Sequence, residues 1–391
     1  MSRRLRFTVL ACSALLWGCN DDAASQSSTT TSSSSSSGGG GSGAGGDGGA
    51  GGAGGVSAAG GAGGTGGEGG AGGAGGAGGT GGAGGAGGTG GAGGDAGAGG
   101  AGGDGGAGGG SSASWTVVTP PVLFGNNPLT ALWGTSAQNV WAAGFDGKIL
   151  RYDGAIWAVV PSSVPTNQGR HINTIWGSSA SDVWAGGYSS TLTHFDGTTW
   201  SLSTSPPVAL FGLWGTSASN VWVVGGWDVN GRMSHFNGST WSTVTTYPNS
   251  LQSIWGSAAN DVWAVGLSGF MLHHDGQSWS TVPSGTSAHL WTIWGASATN
   301  VWAAGAGTIR HFNGSVWAEA HDTQGAAVVA IWGSSASNVF AVGNNGRIFH
   351  FDGVSWSAMS SPTIAHLRAI WGSSANDVWA VGDGGTILHY H

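Results

Sequence analysis

The chain has 391 residues, of which 7% are charged, and its formal net charge is −8. Beyond Arg3, Arg4 and Arg6 its seven other basic residues are scattered rather than clustered, which excludes the Lys/Arg surface that a nucleic-acid backbone needs. Cys12 and Cys19 both lie in the first 19 residues, so everything downstream must be stabilised without a disulfide or a thiolate-bound metal.

Residues 1–19 read as a targeting segment. Arg3, Arg4 and Arg6 form a positive start, and Phe7 to Trp17 is an apolar stretch too short to span a bilayer. The closing Leu16-Trp17-Gly18-Cys19 resembles the lipobox of bacterial lipoprotein signals, with Leu three places before the Cys and a small residue next to it. Trp17 departs from that pattern. The resemblance implies export, lipidation of Cys19 and a membrane anchor at the cell surface or facing the periplasm; the bilayer is touched only through that lipid.

Residues 20–110 are a Ser/Thr run followed by Gly-Gly-Ala and Gly-Gly-Thr triplets. Such a composition buries too little apolar surface to offset its chain entropy, so a disordered linker is expected. Glycine at every third place without proline does not make a collagen helix.

Residues 111–391 carry an internal repeat. Trp-Gly recurs with its Trp at 133, 176, 214, 255, 294, 332 and 371, at spacings of 43, 38, 41, 39, 38 and 39. Each copy continues through a Val-Trp step (Val-Phe at Phe340), a Gly-rich turn, a short apolar strand and an Asp-Gly or Asn-Gly turn before another Trp. This reads as four short strands, here termed a to d, each bounded by turn residues. A four-stranded unit near 40 residues is the size of a propeller blade and cannot bury its two faces alone. The seventh copy stops at His391 before its strand d, whereas Ser114-Trp115-Thr116-Val117-Val118 has that strand's pattern. The expected fold is therefore an all-β, seven-bladed β-propeller with four-stranded blades, closed by the N-terminal strand.

The repeats resemble tectonin-type propeller lectins, and also the surface propeller lipoproteins of myxobacteria grouped with BNR (Asp-box) repeat proteins. The full Asp-box and the Gly-His and Trp-Asp marks of WD-type repeats are missing. What the resemblance implies is a propeller presenting a binding face.

Spacing between strands a and b, and between c and d, is constant; the length changes fall in the d–a and b–c connections, which share one face of a propeller. Insertions confined to one face point to a binding face. Two Trp outside the repeat map there: Trp227, beside Asp228 in an insertion of repeat 3, and Trp291 at the start of strand a in repeat 5. The positions equivalent to Trp291 vary and include Phe211 and Arg368. His171, His289 and His366 stand five residues before the Trp of Trp-Gly. Trp227, Asp228, Trp291, Phe211, Arg368 and these three histidines are the candidate ligand-contacting set, aromatic and polar enough to stack on a sugar ring or a protein loop. The histidines fall in repeats 2, 5 and 7, and ordinary hydrogen bonding is their alternative role. His194, His235, His273, His311, His350 and His389 recur at one repeat position, where Arg151 stands in repeat 1, and read as structural. Asn237-Gly238-Ser239 and Asn313-Gly314-Ser315 read as turns rather than glycosylation sites.

Glu319 is the sole Glu from residue 111 onward, and most Asp sit in repeat turns, so the carboxyl pair of a glycosidase is not legible. No nucleophile elbow or phosphate-cradling loop is present, and no cofactor or metal is expected. The sequence points to a monomeric, surface-displayed recognition module binding glycan or another envelope component. The alternatives are a protein-interaction scaffold and, further off, a catalytic propeller on envelope polysaccharide.

Overall fold

The computed structural model describes residues 113–119, 127–165, 169–204, 209–227 and 230–391. The targeting segment, the linker and Cys19 lie outside the described residues. The described chain is all strand and turn, without an α-helix.

Repeat 1 sets the pattern. Strand a is Leu129–Ser136, b Asn139–Gly144, c Ile149–Tyr152 and d Trp157–Val160, joined antiparallel in that order. Val, Ala and Trp in strand b are fully buried because the blade is covered on both faces. Between b and c, Phe145–Gly147 form a single 3-10 turn. Between c and d, the Asp153 carboxylate accepts from the Ala155 and Ile156 N–H groups, and Gly154 supplies the required positive φ of 100°. Asn237 and Asn313 do the same in their repeats, so both Asn-Gly-Ser triplets sit in turns.

Two sets of contacts stack one repeat on the next. The Trp of each Trp-Gly lies over the Gly of the following one: Trp133 on Gly177, Trp214 on Gly256, and finally Trp371 on Gly134. A Cβ on Gly256 would lie 2.6 Å from the Trp214 ring, which is why this position is Gly. The aromatic of strand b also meets the strand d Trp of the next repeat edge to face, as in Trp141–Trp200 at 5.5 Å and Trp379–Trp157 at 5.3 Å. Phe340 meets Trp115 in this way at 6.2 Å. Trp115–Val118 pairs antiparallel with Ile387–Tyr390, as Trp115↔Tyr390 through Val118↔Ile387. The early strand thus completes the last sheet.

The blade count needs correction. Seven separate four-stranded blades are expected from the repeats, but the strands form six sheets: five of four strands and one of six. The six-stranded blade takes up repeats 5 and 6. Asn300–Phe312 and Trp317–Ser335 each run as one long strand where the other repeats have a break. The cause is local. In repeat 5 the b–c connection, Ala306-Gly307-Thr308, is one residue shorter than the common form and makes no 3-10 turn. Extended pairing therefore continues to Ala306↔Ala327, and the d–a connection stays within the ladder. Gly307, Gln324 and Gly325 take the positive φ values that bend these long strands.

The two faces separate as expected. The a–b and c–d turns touch each other, as where a Cβ on Gly154 would meet Gln138; the b–c turns touch the d–a connections, as where one on Gly346 would meet the Thr363 carbonyl.

Candidate functional site

On the b–c/d–a face, strand a carries the same irregularity in every repeat. In repeat 3, Leu210 pairs with Gly225 but Gly212 with Val224, leaving Phe211 over as a β-bulge. The bulged residues of the seven repeats are Thr130, Asn173, Phe211, Gln252, Trp291, Val329 and Arg368. A bulge frees its residue from the ladder and re-aims its side chain. That is the physical reason this position varies while its neighbours repeat.

Repeats 1 to 3 bring five rings into one connected series. Phe145 stacks on His171 at 3.9 Å, and His171 meets Tyr188 edge-on at 5.9 Å. Tyr188 stacks on Trp227 at 5.3 Å, and Phe211 packs edge-on against both, at 5.7 and 5.8 Å. Trp227 remains 46% exposed. Such rings are held by mutual offset and edge contacts, each adding about 0.5–1.5 kcal/mol beyond area burial. The result is a firm aromatic surface with one indole open to solvent.

Three of the candidate residues, Trp227, Phe211 and His171, belong to this series. Asp228 lies outside the described residues. Trp291 is half-buried in repeat 5 and makes no ring contact among the described residues. Arg368, in repeat 7, forms a two-pronged ion pair with Asp383 on the b–c turn of its own repeat. His289 and His366 each bond the b–c turn of the preceding repeat. The Nδ1 of His289 accepts the Ser268 N–H at 2.8 Å and that of His366 the Asn345 N–H at 2.9 Å. His171 receives the Asp146 N–H in the same way at 3.3 Å. Burial holds the His171 ring below the ordinary histidine pKa, against an opposing pull from the Asp146 carboxylate.

Sequence reading missed Phe145 and Tyr188. The signal was present: both follow the glycine that ends strand b, a place taken by Leu267, Ala306, Asn344 and Asp383 in repeats 4 to 7. Aromatic residues at that variable place occur only in repeats 1 and 2, the two that precede the repeat of Trp227.

The recurring histidines sit on the opposite side of the chemistry. His194, His273 and His389 each place Nε2 2.6 Å from the carboxylate of Asp182, Asp261 and Asp377, and each stacks on its strand b Trp. His235 and His350 hold Asn220 and Asn338 at the same distance. Arg151 reaches Asn139 and lies over Trp141. His311 differs: its Asn300 accepts from the Trp302 indole instead, at 2.9 Å. Among the described residues no group of three or more His, Cys, Asp or Glu is placed to hold a metal ion. No described helix is long and apolar enough to cross a membrane.

Ring closure, radial stacking and short antiparallel blades define a β-propeller. No protein-family model matches the chain, and no curated protein matches it. Solved structures do. YCF48 bound to D1 peptide superimposes with a TM-score of 0.58 at 16% identity, over 71% of this chain and 96% of that one. YCF48 from Cyanidioschyzon merolae gives 0.56 at 16% identity, over 71% and 98%. The WD40 propeller domain of Doa1 gives 0.59 at 10% identity, over 72% and 97%. At these identities the likeness concerns the fold alone.

Proposed function

We propose that the chain is a recognition scaffold that binds a protein segment through the b–c/d–a face of repeats 1 to 3. The observation that carries this is the five-ring series ending in the exposed indole of Trp227. An aromatic surface held rigid by its own packing loses little side-chain entropy on binding, which is how buried aromatic anchors come to dominate protein contacts. The likeness to propellers, one of them solved with a peptide bound, supports the same reading over a carbohydrate ligand. Scattered charge argues for contact by stacking and backbone hydrogen bonds rather than by steering.

The test is selection of a random peptide library on the immobilised full chain. Enriched peptides that lose at least tenfold in affinity on Trp227→Ala, about 1.4 kcal/mol, support the reading. Peptides indifferent to Trp227→Ala and Phe211→Ala place binding elsewhere. A glycan ligand is the second reading, favoured by the flat, open indole; a specific hit on a glycan array, with no peptide enriched, would replace the first. Export and anchoring through Cys19 are also proposed, on the Leu16-Trp17-Gly18-Cys19 signal. Labelled palmitate should enter the wild-type protein and not Cys19→Ser.

A further inference from the structure

In four repeats the side chain five places before the Trp-Gly tryptophan bonds the b–c turn of the preceding repeat. Where it is His171, His289 or His366, its Nδ1 accepts the N–H of the turn's middle residue: Asp146, Ser268 or Asn345. Where it is Ser250, its hydroxyl donates to the Gly226 carbonyl at 3.0 Å. Pro128, Ala209 and Ala327 fill the place in the other repeats and offer no such group. The three residues that donate to histidine have φ of 57°, 56° and 56°. A left-handed non-glycine residue is unfavourable by roughly 1–2 kcal/mol, so these turns depend on bonds from outside themselves. The histidine supplies one, and it bridges two repeats.

An imidazole nitrogen accepts only while it carries no proton. We propose that His171, His289 and His366 form an acid-sensitive lock on this face: protonation at Nδ1 sets two N–H donors against each other and releases the b–c turns of repeats 1, 4 and 6. His171 is also the second ring of the aromatic series. Its release from Asp146 would uncouple Phe145 from Tyr188, and the consequence for a bound partner rests on the function proposed above. The release of the turns does not.

The charged groups around each lock are few. His171 faces Asp146 on the turn of repeat 1 and Tyr188 on its own turn, with Arg170 adjacent in sequence and Lys148 closing the turn. Burial lowers its affinity for a proton more than Asp146 raises it. His289 meets a turn, Leu267–Gly269, and a connection, residues 284–288, that carry no titratable residue, and the Arg310 guanidinium donates to the Ser284 carbonyl of that connection. His366 meets Asn344–Gly346, with Arg347 next in sequence; its own turn holds Asp383, already paired with Arg368. The lock holds while the three imidazoles are neutral and is lost as acid protonates them; burial moves that loss at His171 below the ordinary histidine range.

Hydrogen exchange on the full chain, without any partner, tests this. Exchange at residues 144–149, 266–271 and 343–348 is compared at pH 7.5 and 5.0 after correction for the intrinsic pH dependence. Protection should fall about five- to tenfold, the loss of one net hydrogen bond. The turn of repeat 3, read at residues 225–227, is met by Ser250 and Ala209 rather than by a histidine; it is the internal control and should not change. Single variants His171→Asn, His289→Asn and His366→Asn keep an acceptor near the Nδ1 position without its titration, and each should flatten the response of the turn it bonds. Equal protection at both pH values, or equal loss in the control turn, overturns the lock. Neither result bears on peptide selection, so the two proposals fail separately.

Discussion

Removing the Trp115 indole is the sharpest test of how the ring is held. Trp115 is 7% exposed, meets Tyr390 at 5.4 Å and Phe340 at 6.2 Å, and belongs to an apolar cluster with Val342, Ile348, Leu367 and Leu388. A buried indole removes about 150–250 Å² from water, or roughly 4–6 kcal/mol at about 25 cal/mol/Å². That figure is an upper bound, because the unfolded chain already covers part of this area; Trp→Ala in a core typically loses about 3–5 kcal/mol. Besides this packing the strand is held by four residue pairs, the reciprocal backbone bonds of Ser114 and His391, and the Thr116 hydroxyl on the His389 carbonyl. Trp115→Ala should therefore lose about 3–5 kcal/mol in urea unfolding and should also let the strand detach, exposing residues 113–119 to limited proteolysis. Trp356→Ala removes the equivalent indole of repeat 6, where strand d follows its own repeat without interruption. It should show a similar loss of stability without new cleavage at residues 113–119. A loss under about 1 kcal/mol for Trp115→Ala, with no faster cleavage, would refute the view that this strand closes the ring.

Gly256→Ala should destabilise by about 1–3 kcal/mol or more, because its Cβ would lie 2.6 Å from the Trp214 ring and 2.7 Å from the Asp261 carbonyl; chemical unfolding reads it directly. Burial holds His235, His311 and His350, and His389 against the pull of Asp377, below the ordinary histidine range. The unfolded chain then binds more protons below about pH 6.5, so stability is full above that pH and falls beneath it. Calorimetry should find a lower Tm at pH 5 than at pH 7.5; a flat or rising Tm contradicts the assignment. The Arg310 guanidinium is buried, donates to the Ser284 carbonyl at 3.1 Å and lies 4.0 Å from half-exposed Glu319. Glu319→Gln should lose less than about 1 kcal/mol, and Arg310→Ala about 1–3 kcal/mol through the orphaned carbonyl, both measured by urea unfolding. Trp227→Ala gives up two ring contacts and should lose about 1–3 kcal/mol in urea unfolding, less than Trp115→Ala because much of the indole faces water, while weakening any peptide selected on the wild type.

The parts of this architecture visible in the sequence are those that repeat. Trp-Gly, the Val-Trp step and the Asp/Asn-Gly turn each solve a problem that recurs in every copy: stacking, burial or reversal. Trp115 could be assigned to the far end of the chain because its local pattern matches the strand that the last copy lacks. The six-stranded blade was not visible, because a one-residue shortening at Ala306-Gly307-Thr308 changes hydrogen bonding over more than 20 residues without changing the apolar pattern. Phe211, His171 and Trp227 were chosen for their position. Their partners Phe145 and Tyr188 were not, because turn residues carry no periodic signal and ring contacts between repeats depend on the fold. Nor could sequence spacing reveal that each of the three histidines reaches back to the turn of another repeat.

The seam between the first and last described strands also sets an order of events during synthesis. Thr116 and the His389 carbonyl that it meets lie 273 positions apart, and loop closure over such a distance comes late in folding. The early strand leaves the ribosome first and has nothing to pair with until Ile387–Tyr390 is made. At a translation rate of about 5–20 residues per second, Trp115–Val118 waits roughly 14 to 55 seconds with its edge groups unpaired. Over that interval the nascent ring is open at one place, and whatever keeps that strand from pairing elsewhere governs the yield of folded protein.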